Sequence, residues 1–436
     1  NVQGKSEQKR NQNLEKNLIV RYYSLHHNAP KVSFKEAVIR GIASDKGLYF
    51  PEKITPLSQK FIDHISEYTN QEIAFEVIQQ FVGDEIPKER LKEIIQETIP
   101  FDFPVVPIKD NIGTLELFHG PTLAFKDVGA KFMAKCLEYF NQDAKEKVTV
   151  LVATSGDTGG AVANGFLGAK GVDVVILYPS GKVSDIQEKQ LTTLGQNIRA
   201  IEVNGSFDDC QDMVKQAFLD EEIPIQLTSA NSINVARWLP QMFYYFFAYK
   251  QLAKTNKKLV FSVPSGNFGN ICAGIVAKKL GLPIHHFIAA TNVNDTVPIF
   301  LKQGTYKAQK SISTISNAMD VGNPSNFIRI LELYKNDITQ LKQDFSSYSF
   351  SDETTKEAMK NMYENSGYIS DPHGAVGYLG LKERGLAHDE YGVFLETAHP
   401  VKFLDVVEST LSVEVDLPAQ IQDLLQKEKV ALKATS

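Results

Sequence analysis

Cysteine is scarce in this 436-residue chain: Cys136, Cys210 and Cys272 are the only three, far apart and in no C-x-x-C pair. That spacing disfavours a disulfide framework and a cysteine zinc site, and a reducing, cytoplasmic compartment is expected. Positive charge is short as well, with 46 Lys and Arg against 52 Asp and Glu, a net charge of −6. Nucleic acid and an anionic membrane both need a basic face, so neither is expected as a partner. No apolar run approaches the roughly 20 residues of a membrane span. The greasiest segment, Met242 to Tyr249, is short and aromatic and reads as one buried side of a helix. His285 and His286 share a strand with no third ligand at metal spacing, so no metal site is expected. Residues 1–20, rich in Asn, Gln, Lys and Glu, lack the apolar stretch of a secretory signal and read as a disordered leader or processed remnant. Lys427–Ser436 reads as a frayed end.

What the chain does have is a core. Hydrophobic content of 43% with 22% charged residues fits a globular protein, and the length suggests two or three domains. From about residue 145 the pattern is regular. Val148–Val152, Val172–Tyr178, Leu259–Val263, Ile284–Ala289 and Gly392–Leu395 are short apolar runs of the kind found in strands buried on both faces. Helices are predicted at 158–169, 187–194, 207–219, 231–252 and 270–280. The alternation predicts an α/β fold with mostly parallel sheet, in which ligands bind at the carboxyl ends of strands. Residues 55–100 read as helical, and Pro100, Pro104 and Pro107 as a connector.

Four loops carry candidate chemistry. In the first, Lys126 lies between Phe125 and the apolar start of a helix over 128–139. A lysine there is partly desolvated, which lowers its pKa and frees the amine to act as a nucleophile or Schiff-base former. The plainer alternative is a surface lysine beside Asp127 as a helix cap. The second, Thr154-Ser-Gly-Asp-Thr-Gly159, follows a strand and exposes backbone N–H groups at a helix start, suited to a carboxylate or phosphate, unless it is an ordinary capped turn. In the third, Pro264-Ser-Gly-Asn-Phe-Gly269, the glycines let backbone approach an anion closely, but the string is not a dinucleotide or P-loop fingerprint. The fourth places Thr397 at a strand end, with His399 beside it read as a packed neutral residue and His373 as turn structure.

One desolvated lysine, two anion loops and a hydroxyl at a strand end fit pyridoxal 5′-phosphate held as a lysine Schiff base. Thr122-Leu-Ala-Phe-Lys-Asp-Val-Gly-Ala130 resembles the cofactor-lysine signature of the fold-type II pyridoxal-phosphate enzymes. His119-Gly-Pro-Thr-Leu-Ala-Phe-Lys-Asp127, Thr154-Ser-Gly-Asp-Thr-Gly159, Asn231-Ser-Ile-Asn234 ahead of Arg237, Pro264-Ser-Gly-Asn-Phe-Gly269 and Thr397-Ala-His-Pro400 together resemble the threonine synthase family. Val32-Ser-Phe-Lys-Glu-Ala-Val38 and Gly47-Leu-Tyr-Phe-Pro51 match its N-terminal region, so the resemblance runs from about Tyr22 to at least Phe403.

The resemblance implies two open, mostly parallel sheets flanked by helices, with a mainly helical N-terminal cap at 21–105. The cofactor-binding unit would be 106–144 with 240–436, and 145–239 a smaller mobile unit on the substrate side. Lys126 would bind the cofactor covalently and later move protons. Gly266, Asn267, Phe268 and Gly269 would hold its phosphate, and Thr397 would face its ring nitrogen. Thr154, Ser155, Asp157 and Thr158 would line the substrate side, Asp157 standing where related β-replacement enzymes commonly have Asn. Asn231, Asn234 and Arg237 would orient the substrate phosphate, a guanidinium suiting bidentate contact. The implied reaction turns O-phospho-L-homoserine and water into L-threonine and phosphate, the last step of threonine biosynthesis, in a monomer or homodimer. The rivals are a serine/threonine dehydratase or cysteine synthase of the same fold type, and a non-catalytic relative that binds phosphorylated amino acids.

Overall fold

The computed structural model describes residues 20–435, so all but the last residue of the leader read at 1–20 lies outside the described residues. Two sheets organise the chain. The larger has strand order β11-β10-β9-β12-β4-β3, where β3 is Val105–Lys109, β4 Ile112–Glu116, β9 Lys258–Pro264, β10 Ile284–Thr291, β11 Phe345–Ser349 and β12 Glu390–Glu396. All its pairings are parallel except β3 with β4. The smaller has order β13-β7-β6-β5-β8, entirely parallel, with β5 at Val148–Ala153, β6 Val172–Pro179, β7 Ile198–Asn204, β8 Gln226–Ser229 and β13 Leu432–Thr435. Every residue of β5 and of β12 is buried, as strands covered by helices on both faces should be.

Helix starts follow the local chemistry. Ser33 with Glu36, Thr69 with Glu72, Ser184 with Gln187 and Ser206 with Asp209 each form a reciprocal capping box that satisfies two orphan N–H groups. The N-terminal cap carries helices Phe34–Arg40, Asn70–Val82 and Lys88–Thr98, together with a small antiparallel pair, β1 (Tyr22–Ser24) with β2 (Tyr49–Pro51). Its apolar faces join helices Lys126–Asn141 and Phe243–Leu252 in one continuous core. Among the described residues no helix is long and apolar enough to cross a membrane.

Four expectations need correction. The helix expected over 231–252 is broken: Asn231–Asn234 is loop, Val235–Trp238 one helical turn, Leu239–Met242 a 3-10 turn and Phe243–Leu252 the helix proper. Pro240 lacks the N–H that a continuous helix would use. The aromatic helix is buried on every side from Phe243 to Ala248 rather than on one. The proline-rich connector contains β3, an edge strand that tolerates Pro107 because an edge leaves one side of the ladder unpaired. The tail read as frayed instead forms β13, pairing Leu432 with Ile201, while helix Ala419–Leu425 packs on helix Asp185–Thr192. The last residues of the chain therefore join the smaller sheet.

Candidate active site

The loops after β4, β5, β9 and β12 converge on one cleft between the two sheets. Its floor begins at Lys126, the first residue of helix Lys126–Asn141. The segment before it is strapped to the strand end opposite: Phe125 N–H donates to Thr397 O at 2.9 Å and His399 N–H to Leu123 O at 3.0 Å. Asp127 does not cap from outside; it is buried, and its carboxylate accepts from Thr122 N–H (2.9 Å) and from the Thr122 hydroxyl. Among the described residues no acceptor holds Lys126 Nζ, which sits 5.7 Å from the Phe125 ring centroid. Burial lowers its pKa to about 8; Asp157 opposes the shift, and the cations Arg237 and Lys402 add to it. Lys126 is partly buried and lines the cleft, so it is not the solvated surface lysine of the plainer reading.

Facing it, Ser265–Phe268 link β9 to helix Gly269–Lys279. Phe268 takes φ 63°, a left-handed conformation that costs a non-glycine residue and turns the loop sharply into the helix. N–H groups in the first helical turn have no carbonyl ahead of them and are free for an anion. A Cβ on Gly266 would stand 2.6 Å from Ala318 O and 2.9 Å from Met319 Cα, so the turn at 316–320 roofs this loop closely. Asn267 is fixed from the other side, its carbonyl accepting from Asn326 N–H at 3.0 Å. Thr397, following β12, lines the same cleft.

The loop after β5 divides its labour. Ser155 and Thr158 line the cleft. Thr154 does not; its hydroxyl accepts from Gly156 N–H (2.9 Å) and Gly159 N–H (2.8 Å), and so shapes the turn. Asp157 also points away, into a buried ion pair with Lys402 at 2.6 Å, and accepts from Gln187 Nε2 at 3.1 Å. Burial alone would raise its pKa, but Lys402 and Lys126 outweigh that and hold the carboxyl far below the usual range.

Asn231 and Arg237 line the cleft, whereas Asn234 does not. Asn234 is fully buried: its Nδ2 donates to Val38 O (2.9 Å) and Ser229 O (3.1 Å), and its Oδ1 accepts from Ala236 N–H (3.0 Å). All its hydrogen-bonding capacity toward a phosphate is used by the backbone, which corrects the expectation for this residue. Arg237 is 2% exposed, donates to Ala230 O, and leaves its Nε unpartnered. Asn231 Oδ1, Gln241 Oε1 and Asn270 Nδ2, all on the cleft wall, are also buried without partners. So many orphaned polar atoms in one place describe a site awaiting a polar ligand.

Sequence reasoning missed several of these residues. Gln241 lies four positions after Arg237 and Asn270 ends the glycine loop, signals that helical spacing and the loop string both contained. His373, read as turn, caps the wall: its Nδ1 is 2.5 Å from Asp371 Oδ2, and Ala318 N–H donates to its Nε2 at 3.2 Å. These partners assign the proton to Nδ1. His399 is packed and neutral, its Nδ1 accepting from Val401 N–H and its pKa lowered by burial to about 4.

The donor set fits pyridoxal phosphate: a free desolvated amine, a glycine cradle at a helix N-terminus, a neutral hydroxyl at a strand end, and unpartnered polar groups beyond. Residues 114–395 match the family described as "Pyridoxal-phosphate dependent enzyme", 21–99 "Threonine synthase N terminus" and 375–434 "Threonine synthase, C-terminal". The chain is 47% identical over 407 residues to the threonine synthase of Escherichia coli (strain K12), covering 93% of this chain and 94% of that one. The crystal structure of the Escherichia coli protein superposes with TM-score 0.90, covering 95% of this chain and 96% of that one, at 46% identity. The PLP-bound threonine synthase of Brucella melitensis also gives 0.90, at 35% identity and the same coverage.

Proposed function

The chain belongs to the threonine synthase family, and on that premise we infer how its cleft divides the work of turning O-phospho-L-homoserine and water into L-threonine and phosphate. When bound, pyridoxal phosphate supplies the electron sink that allows C–H bonds near the amino-bearing carbon to ionise. Lys126 is the residue that would hold it covalently. The observation that carries this reading is the free Nζ of Lys126, its pKa lowered to about 8, in the same cleft as the glycine loop. Gly266, Asn267, Phe268 and Gly269 would hold the cofactor phosphate through backbone N–H groups, and Thr397 would offer the ring nitrogen a neutral hydroxyl.

The substrate's own groups would be met by the other walls. Ser155 and Thr158 would receive the carboxylate, with Thr154 shaping their loop. Arg237 and Asn231 would receive the phosphate; the unpartnered Arg237 Nε supports this, since a guanidinium left without a carboxylate suits a dianion. Lys126 Nζ would take the proton from Cα, then manage proton transfer at Cβ and Cγ as the γ-phosphate departs and water adds at Cβ. Positioned proton transfer of this kind contributes about 10²–10⁴-fold per step.

A smaller unit at 145–239 that moves over the cleft is part of the same reading, as are a cytoplasmic location and a monomeric or homodimeric state. The three cysteines are free and buried, which supports a reducing compartment. The net charge of −6 supports a small-molecule partner over nucleic acid. The test is borohydride reduction of the loaded protein followed by peptide mass analysis. A cofactor adduct on Lys126 is expected; an adduct elsewhere, or none, overturns the assignment.

A further inference from the structure

We propose that Lys402 is a positioning residue for this site: its buried ion pair with Asp157 bolts the 154–158 loop to the cofactor-side unit and keeps the Lys126 amine from facing an uncompensated carboxylate. This rests on the reading of Lys126 as the cofactor lysine.

The geometry is specific. Lys402 follows Thr397 by five residues, in the 3-10 turn Pro400–Phe403, and its side chain is fully buried. Nζ reaches in two directions, to Asp157 Oδ1 at 2.6 Å and to Thr122 O at 2.9 Å. Asp157 starts the helix after the substrate-side loop, and Thr122 belongs to the turn that delivers Lys126. One ammonium therefore joins the two chain segments whose relative position sets the cleft. The backbone repeats the link, with Lys402 O accepting from the Ser184 hydroxyl at 3.0 Å. Gln187 closes the remaining side, bonded to Asp157 and packed where a Cβ on Gly156 would stand 2.4 Å from its amide.

The chemistry explains why both charges are needed. An aspartate at position 157 brings a charge into a place with no water to solvate it, and a buried charge is tolerated only when paired. Lys402 supplies the partner, so the pair reaches Lys126 as a nearly neutral dipole. The Arg237 guanidinium also acts on Lys126; the Asp127 carboxyl is taken by Thr122, the Tyr244 phenol donates to Phe125 O, and His373 lines the same cleft. Loss of Lys402 leaves Asp157 free to stabilise a protonated Lys126. Loss of Asp157 does the reverse.

The experiment uses unloaded full-length protein and needs no turnover. Acylation of Lys126 by acetic anhydride is followed against pH, and the labelled peptide is quantified by mass. Lys402→Met is expected to raise the labelling midpoint by about one unit or more, the size of effect a close opposite charge produces. Asp157→Asn is expected to lower it, Lys402→Arg to leave it within about half a unit of the parent, and the neutral double variant Asp157→Asn/Lys402→Met to bring it back toward the parent. If Lys402→Met does not fold, Asp157→Asn still decides the matter. A midpoint in Asp157→Asn equal to that of the parent overturns the proposal, as does an unshifted midpoint in a folded Lys402→Met. A missing borohydride adduct on Lys126 would instead defeat the cofactor assignment, and the two failures are read by different measurements.

Discussion

Replacing Gly266 with alanine places a methyl carbon 2.6 Å from Ala318 O and 2.9 Å from Met319 Cα, both backbone atoms. Neither can swing aside as a side chain would, so the 316–320 turn must lift. That turn is anchored by Ala318 N–H on His373 Nε2 and by Met319 N–H on Ser316 O, and lifting it strains or breaks these bonds. Overpacking of this kind costs about 1–3 kcal/mol. With tenfold in affinity per roughly 1.4 kcal/mol, a cost of that size borne by the loop that holds the cofactor phosphate weakens cofactor binding about 5- to 150-fold. Gly269→Ala is the built-in comparison. Its Cβ meets only side-chain atoms, Asn326 Nδ2 at 3.3 Å and Ser232 Cβ at 3.5 Å, which can give by a few tenths of an ångström. The assay is equilibrium titration of unloaded protein with pyridoxal phosphate, beside thermal unfolding of the same samples without it. Gly266→Ala should be the weaker binder of the two. Equal binding by both variants, or a larger loss in Gly269→Ala, would refute the idea that the roof over this loop is what constrains it.

Three further outcomes follow from the same geometry. Covalent cofactor attachment should speed up as pH rises through about 8, where the Lys126 amine loses its proton, and then level off; stopped-flow absorbance reads this. At pH 7 roughly one such amine in ten is neutral, against about one in three thousand for an unperturbed lysine, so a rise centred near 10.5 would contradict the burial argument. Arg237→Met should reduce kcat/KM for phosphohomoserine about 10- to 150-fold, the loss of a charged hydrogen bond worth roughly 1.5–3 kcal/mol, with cofactor loading little changed. Gly374→Ala would drive a Cβ to 1.7 Å from Glu396 Oε2, a carboxyl already held by Ser370 and Asp371 N–H. A stability loss of about 3 kcal/mol or outright misfolding should appear in denaturant unfolding, and a loss under about 1 kcal/mol would count against the packing described.

How much of this was legible in the sequence depended on whether the signal was local. The strands β5, β6, β9, β10 and β12 were visible because an apolar run bounded by a small-residue loop suffices to mark a doubly covered strand. Ser155, Thr158 and the Gly266–Gly269 loop were visible because each lies directly after a strand end, and Lys126 because it sits between Phe125 and the apolar start of a helix. Asn234 misled because a residue quoted in a motif can serve the backbone: spacing gave no hint that Val38 and Ser229 would take its amide. The same holds for Asp157, whose partner is 245 positions away at Lys402. The 316–320 roof had no sequence signal at all, since a turn acquires its role only through what it closes over. Nor was the fate of the tail visible, because Leu432–Thr435 is mostly exposed and is a strand only through its pairing with β7.

The most direct measurement is simultaneous release of phosphate and L-threonine from O-phospho-L-homoserine by the purified, cofactor-loaded protein. Equimolar phosphate and threonine, abolished in Lys126→Ala, are the predicted result. An inert phosphohomoserine, with threonine instead converted to its ketoacid, would contradict the account.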